Sequence, residues 1–549
     1  MAIVPLVYVV NAAFYQETRF GLSSVRSFAA IFDVFVTTSY LGYLGNALLL
    51  AALVTVLSLV AGVAMAVLVG RTDLQHKTVW EMLIVMPLYL SPFTGLMAWI
   101  ALGSAKTGFV NVAFAAIVRP FVPSAPPLLN IWTFGGVVLV MFLFFCPFVY
   151  LFTIGSLRAM DTSLEEAARA AGATTLQTLA KITLPMSLPA ILAAGLLVFI
   201  LCMETYTIPG IIGSTAGFTT LPWQIFQDSS SVPVHRAHAA AAATLLLLIT
   251  ITGVWLQRRL TRTSEKFVTV GGKGFRGRPL QLGAYRWFAT ALVALYVLAA
   301  DVLPFGALLL SSVMKYSAPT INAQIFTLKH FAAFFTTPNM LSALWNTIFL
   351  AVLAGVACVA IGFLISLLEI RMANPATRML AFLSVLPVAV PGIVYGIGLL
   401  WTYVQTPLYG TIWILLVAYV AKFLPYGVIV SRSGILQIHP ELEESARMSG
   451  ASPWRALSAI TIPLVQPTLI AILFFVVLQS IKELSASLFL YTENSQVLSV
   501  LTWHYMDAGD YQFAAAIGVV QTVIMIGLVI ATRAVFRVRL ETALGKELG

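Results

Sequence analysis

Residues Glu165 to Pro185 read EEAARAAGATTLQTLAKITLP, a polar, helix-forming stretch set between segments apolar enough to cross a membrane. Residues Glu443 to Pro463 read EESARMSGASPWRALSAITIP, so Glu166, Gly172, Ile182 and Pro185 return as Glu444, Gly450, Ile460 and Pro463, each 278 positions later. A second copy at a fixed offset means two halves built alike. Ser163 stands three residues before Glu166, the spacing of a capping box, and Asp161 is a second candidate cap. In the other copy Pro440 suits the first turn, where its missing N–H costs nothing. Ala167, Ala168, Ala170 and Ala171 keep the helix slim, and Gly172 can take the left-handed conformation that ends it. A second helix is expected from Thr174, or from Ser452 and Pro453, running into the membrane near Pro185 or Pro463.

The chain of 549 residues is 60% hydrophobic and 9% charged, more apolar surface than a soluble core can hide. Long charge-free windows mean helices, because in lipid only helices or closed barrels satisfy the backbone. The expected class is an all-α membrane protein: two tandem, parallel six-helix halves with about 12 spans. A net charge of +10 lies in short segments between spans, as the positive-inside rule requires, and does not point to nucleic acid. Cys146, Cys202 and Cys358 are isolated in apolar runs and read as small packing residues.

Residues 1–257 form the first half, 258–286 a basic Gly-rich linker, and 287–549 the second half. The opening MAIVPLVYVVNAAFY is about half a span, and Pro5 matches Pro304 in the full-length counterpart; the expectation is that the first turns of helix 1 are missing. Asn46, Gly62 and Arg71 match Asn346, Gly362 and Arg371 at an offset of 300. Pro87 and Pro92, matched by Pro387 and Pro391, give each third span (about Val79 to Leu102, and about Leu380 to Val404) either a kink or a break that lines a pathway. A Pro-rich insertion between Gly103 and Asn130 accounts for the change of offset to 278. The fifth spans are expected over about Leu188 to Tyr206 and Leu469 to Leu490. Placing the linker inside puts residues 71–77 and 371–378, both polar loops and the basic C-terminus inside as well.

The pattern Glu-Ala-Ala, three residues, Gly, nine residues, Ile-x-Leu-Pro resembles the cytoplasmic loop of the permeases of binding-protein-dependent ABC importers. The resemblance implies a multi-pass protein of the bacterial cytoplasmic membrane, surrounded by lipid and supplied by a periplasmic or lipid-anchored binding protein. It implies that Glu165, Glu166, Ala167, Ala168 and Gly172, with Glu443, Glu444, Ala446 and Gly450, form two coupling helices. Each would sit in a groove on one of two copies of a cytoplasmic ATPase, with Glu166 and Glu444 as acidic contacts and the glycines as turns. Ser445, Ser449 and Ile462 replace Ala, Ala and Leu of the first copy. No Gly-x-x-x-x-Gly-Lys-Ser/Thr occurs, so ATP and its Mg belong to the partner, and no cofactor is expected on this chain. The expectation is a transport subunit, not an enzyme.

The stretches KELSASLFLYT (482–492), VTVGGKGFRGRPLQLG (268–283) and GFVN (108–111) resemble the fused permeases of ferric-iron importers. KELSAS departs from that family's usual Lys-Glu-Leu-Pro-Ala-Thr. Ferric iron is therefore the first candidate cargo; thiamine, polyamine and aminophosphonate importers use similar permeases. An ion-gradient transporter of two six-helix halves is the rival from another class, and it leaves the repeated loop unexplained.

A charge within a span costs about 2.5–3.5 kcal/mol on insertion scales, so those retained invite a functional reading. Glu204, Lys482 and Glu483 lie at corresponding places late in the fifth spans; Lys482 and Glu483 either pair with each other or face a central cavity. Oxygens of Glu204, Tyr206, Glu483 and Tyr491 suit a hard cation and equally a polyamine. No metal ligand set is assigned, and His235, His238 and His504 are expected to be chance placements near span ends.

Overall fold

Helices Thr38–Arg71 and Pro338–Met372 are 34 and 35 residues long, about 50 Å at 1.5 Å per residue, longer than the hydrocarbon core they cross. They belong to a computed structural model that describes residues 3–18, 21–118, 120–122, 124–160, 163–264, 280–318, 322–372 and 374–536. Met1, Asp161, residues 265–279 of the linker and the C-terminal 537–549 lie outside the described residues. Among the described residues nine helices are long and apolar enough to cross a membrane, or eleven if each of two bent pairs is one span. The shorter apolar helix Ile3–Ala12 stands where the first span is expected.

The spans of the two halves correspond in order. Each long second helix packs against the fourth span, Phe134–Ala159 or Ile412–Leu436. In the second half the backbones nearly touch: a Cβ on Gly362 would lie 2.5 Å from the Gly427 carbonyl carbon, so glycine is required there. Asn46 donates to Thr219 O (2.8 Å) and Asn346 to Gln496 O (3.0 Å), tying the segment before each sixth span to the second helix. The halves also exchange helices. Ile3–Ala12 packs on Gly392–Tyr403 of the second half, and Leu303–Ser312 packs on Pro92–Gly103 of the first.

The structure decides the kink-or-break alternative of the third spans, corrects the end of one fifth span and adds two features that no expectation covered. The third span is broken in each half: Lys77–Tyr89 and Pro92–Gly103 meet at 99°, and Pro375–Ala389 and Gly392–Tyr403 at 113°. Pro87 and Pro387 open 3-10 turns, and Ser91 and Val390, each preceding a proline, are driven to extended backbone. The second fifth span stops at Ile481, and Lys482 begins a turn that leads to the short helix Ser487–Leu490. Leu221–Ser230 and Leu498–Asp507, 10 residues each, are too short to cross a membrane and stand between spans five and six. Among the described residues Tyr15–Thr18 and Gly21–Arg26 pair as an antiparallel hairpin, a small addition to the all-α fold.

Candidate functional site

The two polar loops have one backbone course. Ser163–Ala170 is followed by Gly172 at φ +89°, then by Thr175–Thr178 and a π-helical turn Leu179–Thr183 that leads into Leu184–Glu204. Glu441–Met448 is followed by Gly450, also at φ +89°, then by Pro453–Ala456, the π turn Leu457–Thr461 and Ile462–Ile481. Left-handed backbone there is open to glycine at little cost. Thr174 caps its helix in a reciprocal box with Gln177, and Ser452 accepts the Arg455 N–H.

Each loop is fastened by its first glutamate. Glu165 is buried, lies 3.5 Å from Arg71 at the end of the second span and accepts the Thr183 hydroxyl at 2.8 Å. Glu443 repeats this, pairing with Arg371 at 2.7 Å and accepting the Thr461 hydroxyl. Sequence reading found both glutamates and both arginines without joining them; that each recurs in the other half was the available signal. Glu166 and Glu444, by contrast, are exposed, with Ala167 beside Glu166, while Ala168 and Ala446 are half-buried. Around them Leu164, Leu176, Leu442, Met448 and Trp454 stand in solvent, with Met448 89% exposed and Trp454 72%. Apolar side chains projecting from polar helices are what a partner groove can cover.

At the interface between halves, the span-five charges find other partners than those expected. Lys482 and Glu483 do not pair with each other. Lys482 Nζ donates to Leu88 O at 2.8 Å, a carbonyl freed by the first broken span. Glu483 pairs with Lys422 on the fourth span at 2.6 Å, and its other oxygen accepts the Ala486 N–H at 2.9 Å. Glu204 is the last residue of its helix. The second break is met from the first half, where Thr250 donates to Ala389 O at 2.9 Å. Freed carbonyls in a membrane helix need donors, and each half supplies one for the other's break. Tyr206 is buried, whereas Tyr491 is half-buried just beyond Ser487–Leu490 and is turned by its N–H bond to Ser487 O. Lys422 was missed by sequence reading although a lone lysine in AYVAKFLPY is itself the signal.

Among the described residues, the one group of three His, Cys, Asp or Glu side chains close enough to share a metal ion lies elsewhere, at Glu17, His235 and His238. The two histidines are therefore gathered rather than scattered. His504 lies against Tyr505.

Residues 58–266 and 359–541 match the family described as binding-protein-dependent transport system inner membrane component. A candidate ferric transport system permease, FbpB 1 of Haemophilus influenzae, is 26% identical over 85% of this chain and 73% of its own. A ferric transport system permease FbpB of Actinobacillus pleuropneumoniae is 25% identical over 89% and 70%. A candidate 2-aminoethylphosphonate transport system permease, PhnV of Salmonella paratyphi A, is 29% identical over 40% of this chain and 82% of its own.

Proposed function

Because this chain belongs to the inner-membrane components of binding-protein-dependent transport systems, we propose that its two repeated loops receive the motion of two ATPase subunits and pass it to the halves. The membrane protein is a transport subunit, and ATP hydrolysis resides on its partner. The observation that carries the coupling role is the pair of loops with the same φ of +89° and the same Arg-Glu-Thr fastening. Through Arg71–Glu165 and Arg371–Glu443, a push on either loop reaches the end of a long second helix as well as the fifth span.

In this reading the loops, the linker and the C-terminus face the cytoplasm, and the hairpin at the other end of Thr38–Arg71 faces outward, where a binding protein delivers its load. Arg71, Lys77, Arg371 and Arg378 cluster at the loop end, in keeping with the positive-inside rule. The two broken spans, each completed by a donor from the other half, border the central path. Transport is by alternating access.

Ferric iron is the cargo we assign, on the strength of the two ferric relatives over most of the chain. Glu204 and Glu483 offer the hard oxygens such an ion needs, and Lys422 and Lys482 offset their charge so that the path does not trap it. A second reading, an aminophosphonate, is favoured by the same two lysines, which suit an anion, and by the partial relative. Uptake by vesicles holding the chain with its ATPase and binding protein separates the two. Radiolabelled Fe3+ entering with ATP, and not competed by 2-aminoethylphosphonate, supports iron; phosphonate uptake without iron uptake overturns it.

A further inference from the structure

Glu17 lies on the hairpin strand Tyr15–Thr18, and His235 and His238 stand at the start of the sixth span, more than 200 positions away. His238 Nδ1 is 2.6 Å from Glu17 Oε2, and His235 Nδ1 is 3.4 Å from Glu17 Oε1. Three ligand atoms, one from each residue, lie within 4.8 Å of one another. Glu17 Oε1 is buried and, among the described residues, accepts no hydrogen bond. On the other side of the ring, His238 Nε2 lies 3.3 Å from Asp33 Oδ2 on the helix Ala29–Val36. Tyr40 stacks on the same imidazole at 6.2 Å, and its hydroxyl is held by Asp228 at 2.9 Å.

We propose that Glu17, His235 and His238 bind a divalent first-row transition-metal ion that clamps the hairpin to the sixth span of the first half. Two imidazoles and one carboxylate are a borderline donor set, suited to Zn2+, Fe2+, Co2+ or Cu2+ and poorly to Mg2+, Ca2+ or Fe3+. Bonds of about 2.1 Å leave tetrahedral ligand atoms about 3.4 Å apart. His235 Nδ1 already lies that far from Glu17 Oε1, and the His238 contact, which is to Glu17 Oε2, opens as the ion displaces the Nδ1 proton to solvent. Nε2–H then donates to Asp33, the carboxylate–histidine–metal arrangement that fixes ring orientation. His235 is half-exposed, so an ion has access.

The second half closes the matching junction with a neutral bond, Gln512 Nε2 to Ser317 Oγ at 2.8 Å, and so serves as an internal control. The site is separate from the Glu204, Lys422 and Glu483 cluster. Its geometry does not rest on the transport reading; only its placement on the outer face does. The test is Zn2+ and Co2+ binding to the purified, tag-free full chain in detergent, which requires neither the ATPase nor a known orientation. One equivalent of Zn2+ is expected, displacing Co2+ with a tetrahedral visible spectrum. His238→Ala and Glu17→Gln should abolish it, Asp33→Asn should weaken it about tenfold or more, and Gln512→Ala should leave it unchanged. No stoichiometric binding by the folded wild-type chain, or binding that survives both His238→Ala and Glu17→Gln, overturns the proposal. Asp33→Asn, which keeps all three ligands, guards against misfolding as the cause of loss.

Discussion

Removing Lys422 tests whether the central charges are a balanced structural set. Its Nζ is 2.6 Å from Glu483 Oε2, and the glutamate is buried while the lysine is about one-quarter exposed. At an effective dielectric of about 20, two unit charges at that distance attract by about 6 kcal/mol before desolvation is subtracted. Lys422→Met leaves Glu483 with the Ala486 N–H and no opposing charge on Oε2. Breaking one member of a buried pair costs about 3–5 kcal/mol, whereas replacing both by uncharged groups of similar size is close to neutral. Lys422→Met should therefore lower thermal stability in detergent strongly, Glu483→Gln less, and the double variant should recover most of the loss. The coupling energy from the cycle should exceed about 2 kcal/mol if the pair is direct. A single Lys422→Met variant as stable as wild type, or a double variant no better than the single, refutes the pairing.

Two further predictions concern the connections at the end of the molecule that carries the repeated loops. A Cβ at Gly172 or Gly450 meets nothing within 4 Å, so Gly172→Ala and Gly450→Ala act through left-handed strain of about 1–2 kcal/mol each; both together should lower uptake per ATP hydrolysed in vesicles while the complex still assembles, and unchanged stoichiometry would contradict this. Asp73 is held below the usual carboxylate range chiefly by the Leu282 N–H and then by Arg286, which joins the end of the linker to the 71–77 turn. Its contribution is present above the ordinary carboxylate pKa and is lost as pH falls through its lowered native value. The spin-label distance between positions 72 and 280 should stay narrow at neutral pH and broaden in strong acid, and Asp73→Asn should broaden it at every pH; equal distributions in the variant and wild type would refute the contact.

The repeated loop was readable from sequence because its information is local: a run of small helix formers, a glycine and a Leu- or Ile-Pro step, all within 21 residues and present twice. Its fastening was not, since Arg71 and Glu165 are far apart in the chain and come together only through the packing of the second span on the fourth. Pro87 and Pro92 announced a disturbance but not its size, because a proline pair fits a gentle kink as well as the 99° break. What decided it was a donor from the other half, Lys482 at Leu88 O, which no local pattern encodes. The hairpin escaped notice because YQET and GLSSVR are short and lack alternation. His235 and His238 looked incidental because their partner Glu17 lies more than 200 residues earlier.

The central claim is that the two loops, acting together, join ATP hydrolysis to transport. Glu166 and Glu444 are exposed on matching faces of these loops and clear of the Arg-Glu-Thr fastenings, so reversing their charge should leave the membrane fold intact. The direct measurement is ATP hydrolysis and substrate uptake by the Glu166→Lys/Glu444→Lys double variant, reconstituted with its ATPase and binding protein. Uptake should collapse while the chain remains inserted, with any remaining ATP hydrolysis no longer stimulated by the loaded binding protein. Normal, stimulated uptake by the double variant would contradict it.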